Sequence, residues 1–207
     1  PRACGLFVAA TCAAAGIPLV TFSSDLVFCG LKTTPYTEAD APAPLNAYGR
    51  SKAAAEEAVL RLHPGALVVR TSAFFGPWDE HNFCAHVLCG LQRGERVEAL
   101  SDAVVSPTYV PHLVDACLAL LLDGARGIHH LCNRGATTWY DWARAIARQA
   151  GLPEDGIVPR TRAQMGLPAA RPAYCAMATE RGRPLPALAQ AMTEFFRARK
   201  KTRLAVA

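Results

Sequence analysis

No charged residue occurs between positions 3 and 24, and the apolar run is interrupted at Gly16 and Pro18. That interruption is where a helix must stop, and "IPLVTF" after it is apolar and β-branched. The pattern predicts a helix over 3–15 and a strand over 17–22, whose near-continuous hydrophobicity marks a parallel sheet covered on both faces. A signal peptide or membrane helix is the competing reading of a long uncharged run behind Arg2, and the Gly-Pro break disfavours it. A loop rich in Pro, Thr and Asp follows, and Pro44 to Asn46 has the form of a helix entry with Asn46 as N-cap of a helix reaching Leu62. "ALVVRTS" reads as a second buried strand. The alternation of helix, strand, helix and strand is half of a doubly wound α/β sheet. Beyond Gly76 the pattern changes to helices near 82–93, 110–122, 138–150 and 185–199, with short extended pieces near 103–105 and 128–132.

Composition adds little to this picture. Of 207 residues 51% are hydrophobic and 19% charged, which places the chain with ordinary globular domains and away from disorder. The net charge of +5 resides in a tail containing Arg197, Arg199, Lys200, Lys201 and Arg203. Cations suit a helix C-terminus, so the tail reads as a solvated helix end and not as a nucleic-acid patch. The eight cysteines (Cys4, Cys12, Cys29, Cys84, Cys89, Cys117, Cys132, Cys175) form no C-x-x-C pair, and reduced thiols in a cytoplasm fit them best. "HNFCAHVLC" holds His81, Cys84, His86 and Cys89, which a zinc ion could use. At about 100° per residue these fall on two helix faces, so no metal is expected. The fifteen glycines never form G-x-G-x-x-G, the turn that holds a dinucleotide's pyrophosphate at a helix N-terminus.

Chemistry enters with "NAYGRSKAAAE". Tyr48 and Lys52, at i and i+4, project from one helical face. Alone the pair reads as two solvated side chains on a helix face. Upstream, Ser23 and Ser24 follow the predicted strand, where ligands bind in open α/β sheets. Serines there also act as plain turn-formers. Together a strand-end hydroxyl, a phenol and an ammonium make a site for moving a proton to or from a carbinol or ketone oxygen. A lysine charge favours the phenolate and brings the phenol toward its working range.

With "FSSDLVFCG", "PLNAYGRSKAAAE", "VVRTSAFFGP" and "SPTYVPHLVDA" in that order, the chain resembles the extended short-chain dehydrogenase/reductase superfamily. It is most similar to the branch of dTDP-4-dehydrorhamnose reductases and their sugar-nucleotide-binding relatives. The resemblance runs from Pro1 to about Phe196. It implies a partial Rossmann-like sheet, with residues 1–76 as the C-terminal part of an NAD(P)-binding domain and 77–207 as a smaller, mostly helical substrate lobe. The last sheet elements can be interleaved with that lobe. It implies Ser24, Tyr48 and Lys52 as catalytic, with Tyr48 the proton donor. Ser23, Tyr48, Lys52, Thr71 and Ser72 would contact NADP or NAD, and Ser24, Ala73, Asn82, Phe83 and Thr108 would line the sugar-nucleotide site. Ala73 stands where the branch usually has tryptophan, which implies a roomier or different substrate. The glycine-rich part and first strands of such an enzyme would precede Pro1. The implied activity is NAD(P)H-dependent reduction of a nucleotide-activated 4-keto-6-deoxy sugar by a cytoplasmic enzyme without nucleic-acid or membrane partners, with a homodimer allowed. An epimerase or dehydratase, or a catalytically silent binding subunit, are the alternatives.

Overall fold

The computed structural model describes residues 2–182 and 184–206, with side chains described for 5–182 and 184–200. The side chains of Cys4, Lys201 and Arg203 therefore lie outside the described residues. In chain order the elements are α1 (Arg2–Ala14), β1 (Val20–Ser24), a 3-10 turn (Asp25–Val27), α2 (Ala47–Leu62), β2 (Leu67–Thr71), β3 (Phe74–Phe75), α3 (Phe83–Gln92), β4 (Val97–Leu100), β5 (Val104–Val105) and β6 (Thr108–Tyr109). They continue with α4 (Val110–Leu122), β7 (Gly127–His130), β8 (Asn133–Arg134), β9 (Thr137–Thr138), α5 (Trp139–Ala150), β10 (Ile157–Arg160), α6 (Arg162–Met165), β11 (Leu185–Ala187) and α7 (Leu188–Val206).

Gly16 takes φ 65° and Ile17 N bonds Cys12 O at 2.9 Å, so α1 stops where the sequence predicts. The central sheet is parallel in the order β1-β2-β7, with Ser24 beside Thr71 and Arg70 beside His130. Ala9 of α1 and Val59 of α2 pack with Val68 on one face; Leu113 and Cys117 of α4 pack with Leu67 and Val69 on the other. Covered on both sides, β2 is buried throughout, which explains its unbroken "LVVRT".

Strand β1 departs from its prediction in two ways. It begins at Val20, because Ile17 N is still bonded to Cys12 O of the α1 cap and contact with β2 starts only at Leu19 O, and it runs on through Ser23 and Ser24. It is also not buried on both faces: Phe22 is 46% exposed, because β1 is the edge of the sheet among the described residues. The third strand of the sheet, β7, and its covering helix α4 come from beyond residue 76, so sheet and lobe interleave along the chain. The lobe is less purely helical than its pattern suggests. It carries the parallel pair β4 and β10, and the helix expected from 185 begins at Leu188 because Leu185–Ala187 pairs with β8. Its core joins α3, α5 and α7 around Phe75, Trp142 and Phe195, each essentially buried and worth about 2–3 kcal/mol in area removed from water.

One ion pair fixes α2 on the sheet. Arg70, at 1% exposure, donates from Nε to Glu56 Oε1 at 2.9 Å and from Nη2 to Oε2 at 2.7 Å. Glu56 continues the stripe of Tyr48 and Lys52 at four-residue steps, so the face bearing the phenol is the face clamped to β2. A fully paired bidentate bridge is the form in which charges tolerate burial.

Candidate active site

At the C-terminal end of β1 the chain turns tightly. Ser24 caps the 3-10 turn, its Oγ accepting from Leu26 N at 3.2 Å and donating to Asp25 Oδ1 at 2.9 Å. Helix α2 starts beside this turn. Asn46 caps it as predicted, Oδ1 accepting from Gly49 N at 2.8 Å, while Nδ2 donates to Ala170 O at 2.9 Å. Gly49 is required by closeness: a Cβ there would stand 2.1 Å from Leu26 O. Only a residue without a side chain lets the first turn of α2 press on the serine-bearing turn and bring Tyr48 alongside.

These elements border a cleft of about 730 Å³, a size usual for small-molecule sites. Its sheet side is formed by Ser23, Ser24 and Asp25; Tyr48 enters from α2, and Thr71, Ser72 and Ala73 from the end of β2. Val105 and Trp139 come from the lobe, and Ala169, Arg171 and Cys175 from the coil before β11. Tyr48 is 52% exposed. Lys52 stands behind it and outside the lining, with Nζ 5.8 Å from the phenol ring centroid and donating to Phe22 O at 3.0 Å. Ala73 takes φ 45°, a left-handed conformation rare for a residue with a side chain and typical of functional turns.

Three residues expected at the sugar-nucleotide site lie outside the cleft lining. Asn82 is buried as the cap of α3, with Nδ2 donating to Gly76 O and Asp79 O. Phe83 packs on the rings of Trp139 and Trp142. Thr108 is fully buried and accepts from Thr71 Oγ1 at 3.2 Å. Ser72 lines the cleft while its Oγ donates to Ser106 O.

Sequence reasoning missed Asp25 and Arg171. Burial pushes the Asp25 carboxyl up to about 6 from 3.8, against the Ser24 hydroxyl and the Leu26 amide, which favour its charged form. A signal for it existed, an acid directly after the two serines that follow the predicted strand. Among the described residues no cluster of His, Cys, Asp or Glu could hold a metal ion; Cys84 is in the lobe core and His86 on the surface. A nicotinamide cofactor fits the residues present in one respect: Ser23 Oγ, buried beside the cleft, has no hydrogen-bond partner among the described residues.

Comparison with known proteins agrees with this architecture. The family model described as the RmlD substrate binding domain matches residues 4–197. The dTDP-4-dehydrorhamnose reductase of Mycobacterium tuberculosis is 37% identical over 178 residues, covering 83% of this chain and 58% of that protein. A probable dTDP-4,6-dihydroxy-2-methyloxan-3-one 4-ketoreductase of Streptomyces antibioticus is 36% identical, covering 80% and 56%. Among solved structures, a dTDP-4-dehydrorhamnose reductase of Bacillus anthracis in complex with NADP superposes with a TM-score of 0.88 at 30% identity, covering 93% of this chain and 69% of that one. The chain thus spans somewhat more than half the length of the curated relatives it matches. With the match extending from the first helix into the last, this chain belongs to the RmlD substrate binding domain family.

Proposed function

We propose that this chain supplies the proton-donating and substrate-holding part of an NAD(P)H-dependent reductase acting on the 4-keto group of a nucleotide-activated 6-deoxy sugar. The observation that carries the reading is the meeting of Ser24 and Tyr48 on one cleft at the C-terminal end of a parallel strand, with Lys52 behind the phenol. Ligands of open α/β sheets bind at that rim. The similarity to dTDP-sugar reductases supports the substrate class.

The cofactor, when bound, supplies the hydride, and Ser23, Tyr48, Lys52, Thr71 and Ser72 are the residues that would hold it. Tyr48 gives its phenolic proton to the sugar oxygen as that oxygen gains charge. The Lys52 ammonium, 5.8 Å from the ring centroid and anchored on Phe22 O, holds a positive charge beside the ring during the transfer. Ser24 holds the same oxygen by turning its hydrogen from Asp25 Oδ1 toward the substrate. Ala73, with only a methyl group in the wall, leaves width for the sugar. The reading places the protein in the cytoplasm, where its thiols stay reduced; among the described residues no helix is long and apolar enough to cross a membrane.

Tyr48→Phe in the full-length polypeptide tests the reading, with NADPH oxidation followed on a dTDP-4-keto-6-deoxy sugar. The expected result is a fall in turnover of about 10²–10⁴-fold, the usual contribution of a positioned general acid. Nucleotide-sugar binding should remain within about twofold, since the ring stays in place. Undiminished turnover would remove Tyr48 from its role.

A further inference from the structure

Ser24 carries one hydrogen and two lone pairs on its Oγ, and the turn after β1 constrains how they are used. Leu26 N donates to this oxygen at 3.2 Å, which occupies one lone pair. Asp25 Oδ1 stands 2.9 Å away and takes the hydrogen. Asp25 is only 7% exposed, yet it borders the cleft together with Ser24. An ionised carboxyl can only accept, so beside the carboxylate Ser24 has just a lone pair to show a ligand. A carbonyl oxygen also only accepts and would meet it lone pair to lone pair. Once the carboxyl holds a proton, the 2.9 Å bond can run the other way. Asp25 then donates to Ser24 Oγ, both lone pairs are filled, and the serine hydrogen is released toward the cleft.

We infer that Asp25 is a positioning residue that steers the Ser24 hydroxyl: when neutral it makes that hydroxyl a donor to the carbonyl oxygen of the substrate, and when ionised it withdraws the donor. The inference rests on the reductase reading and adds to it a control on the direction of one hydrogen. The surroundings leave this choice to Asp25 and Ser24. Ser72, the other hydroxyl against the carboxyl, gives its hydrogen to Ser106 O at 3.0 Å. Cys132 and Cys175 also interact with Asp25, and burial pushes both thiols far up, so they stay uncharged. Arg171, from the coil before β11, favours the carboxylate, but it is exposed and solvent screens its charge. Tyr48 lines the same cleft from α2 and is common to every variant below. Burial outweighs the groups that favour ionisation, and the carboxyl titrates at about 6. The neutral form, and with it the donor, is therefore present below that pH and lost above it. A ketone and its alcohol feel the change differently. The ketone oxygen can only accept, whereas the alcohol accepts or donates and suits either state of Ser24.

The test is the pH dependence, from about 5.5 to 8.5, of kcat/KM for NADPH-dependent reduction of a dTDP-4-keto-6-deoxy sugar. It uses the full-length polypeptide as wild type, Asp25→Asn and Ser24→Ala. Wild type should lose about ten- to a hundredfold as the pH rises from 6 to 8, the scale of losing one donor to a developing oxyanion. In Asp25→Asn the amide can donate to Ser24 Oγ at every pH, so the profile should be flat to within about threefold. Ser24→Ala should be slower throughout and equally flat, since no hydroxyl is left to steer. Inhibition of wild type by the reduced sugar nucleotide should stay within about threefold over the same range. Simple repulsion between the Asp25 charge and an anionic ligand would instead weaken ketone and alcohol alike. A flat wild-type profile, a fall retained in either variant, or product inhibition that weakens in step with kcat/KM overturns the inference and leaves the reductase reading standing. Wild type without turnover of the ketone at any pH overturns both.

Discussion

At Asp25 two forces oppose each other, burial favouring the neutral acid and hydrogen bonding the carboxylate, and burial prevails. A carboxyl that titrates near 6 when folded and near 3.8 when exposed binds its proton more strongly in the native state. Its contribution to stability is therefore whole below about pH 3.8 and is lost as the pH rises through 6, a difference of about 3 kcal/mol. Asp25→Asn, which keeps an acceptor for the Ser24 hydroxyl but cannot ionise, should be more stable than wild type at pH 8, by up to that amount. Near pH 3.5 the two should be alike. Urea denaturation at the two pH values measures both, and equal stabilities at pH 8 would contradict the assignment. The phenol, ammonium and serine were legible in the sequence because helical spacing and a strand end are periodic facts. Arg171 was not, because it reaches the cleft on a coil with no period, and the burial of one acid leaves no mark in a pattern of apolar residues.

Among the elements, the contact of α2 with the turn after β1 decides the geometry of the cleft, and Gly49 makes it possible. Replacing a helical glycine by alanine ordinarily gains about 1 kcal/mol in propensity. At Gly49 the new methyl group would meet the Leu26 carbonyl at 2.1 Å, a backbone atom with no freedom to turn aside. Overpacking of this kind costs about 1–3 kcal/mol, so the sum is a net loss. Gly49→Ala should lower the melting temperature and, by lifting Tyr48 away from Ser24, lower kcat; a variant as stable and as active as wild type would show that the helix has room. The long elements α2, β2, α4 and α5 were readable because each repeats its pattern over several turns or buries both faces. The pair β4 and β10 was not. Each is four residues long, β4 alternates buried and partly exposed positions around Glu98, and β10 contains Pro159. So little pattern cannot be told from loop.

For the molecule as a whole, the order β1-β2-β7 leaves one edge of β1 without a partner strand among the described residues, and Phe22 of that strand is 46% exposed. Such an edge invites another strand. The 207-residue sequence also holds no glycine-rich strand-turn-helix. The chain by itself should therefore bind NADPH poorly, with no saturation at micromolar concentration in a fluorescence titration, and micromolar affinity would refute this. The path of the backbone carries a different consequence. It leaves the sheet after Thr71, builds part of the lobe, returns for Gly127–His130 and leaves again to complete it. Each crossing is a covalent tie, so the two walls of the cleft are stitched together at several points of the backbone and not joined by a single linker.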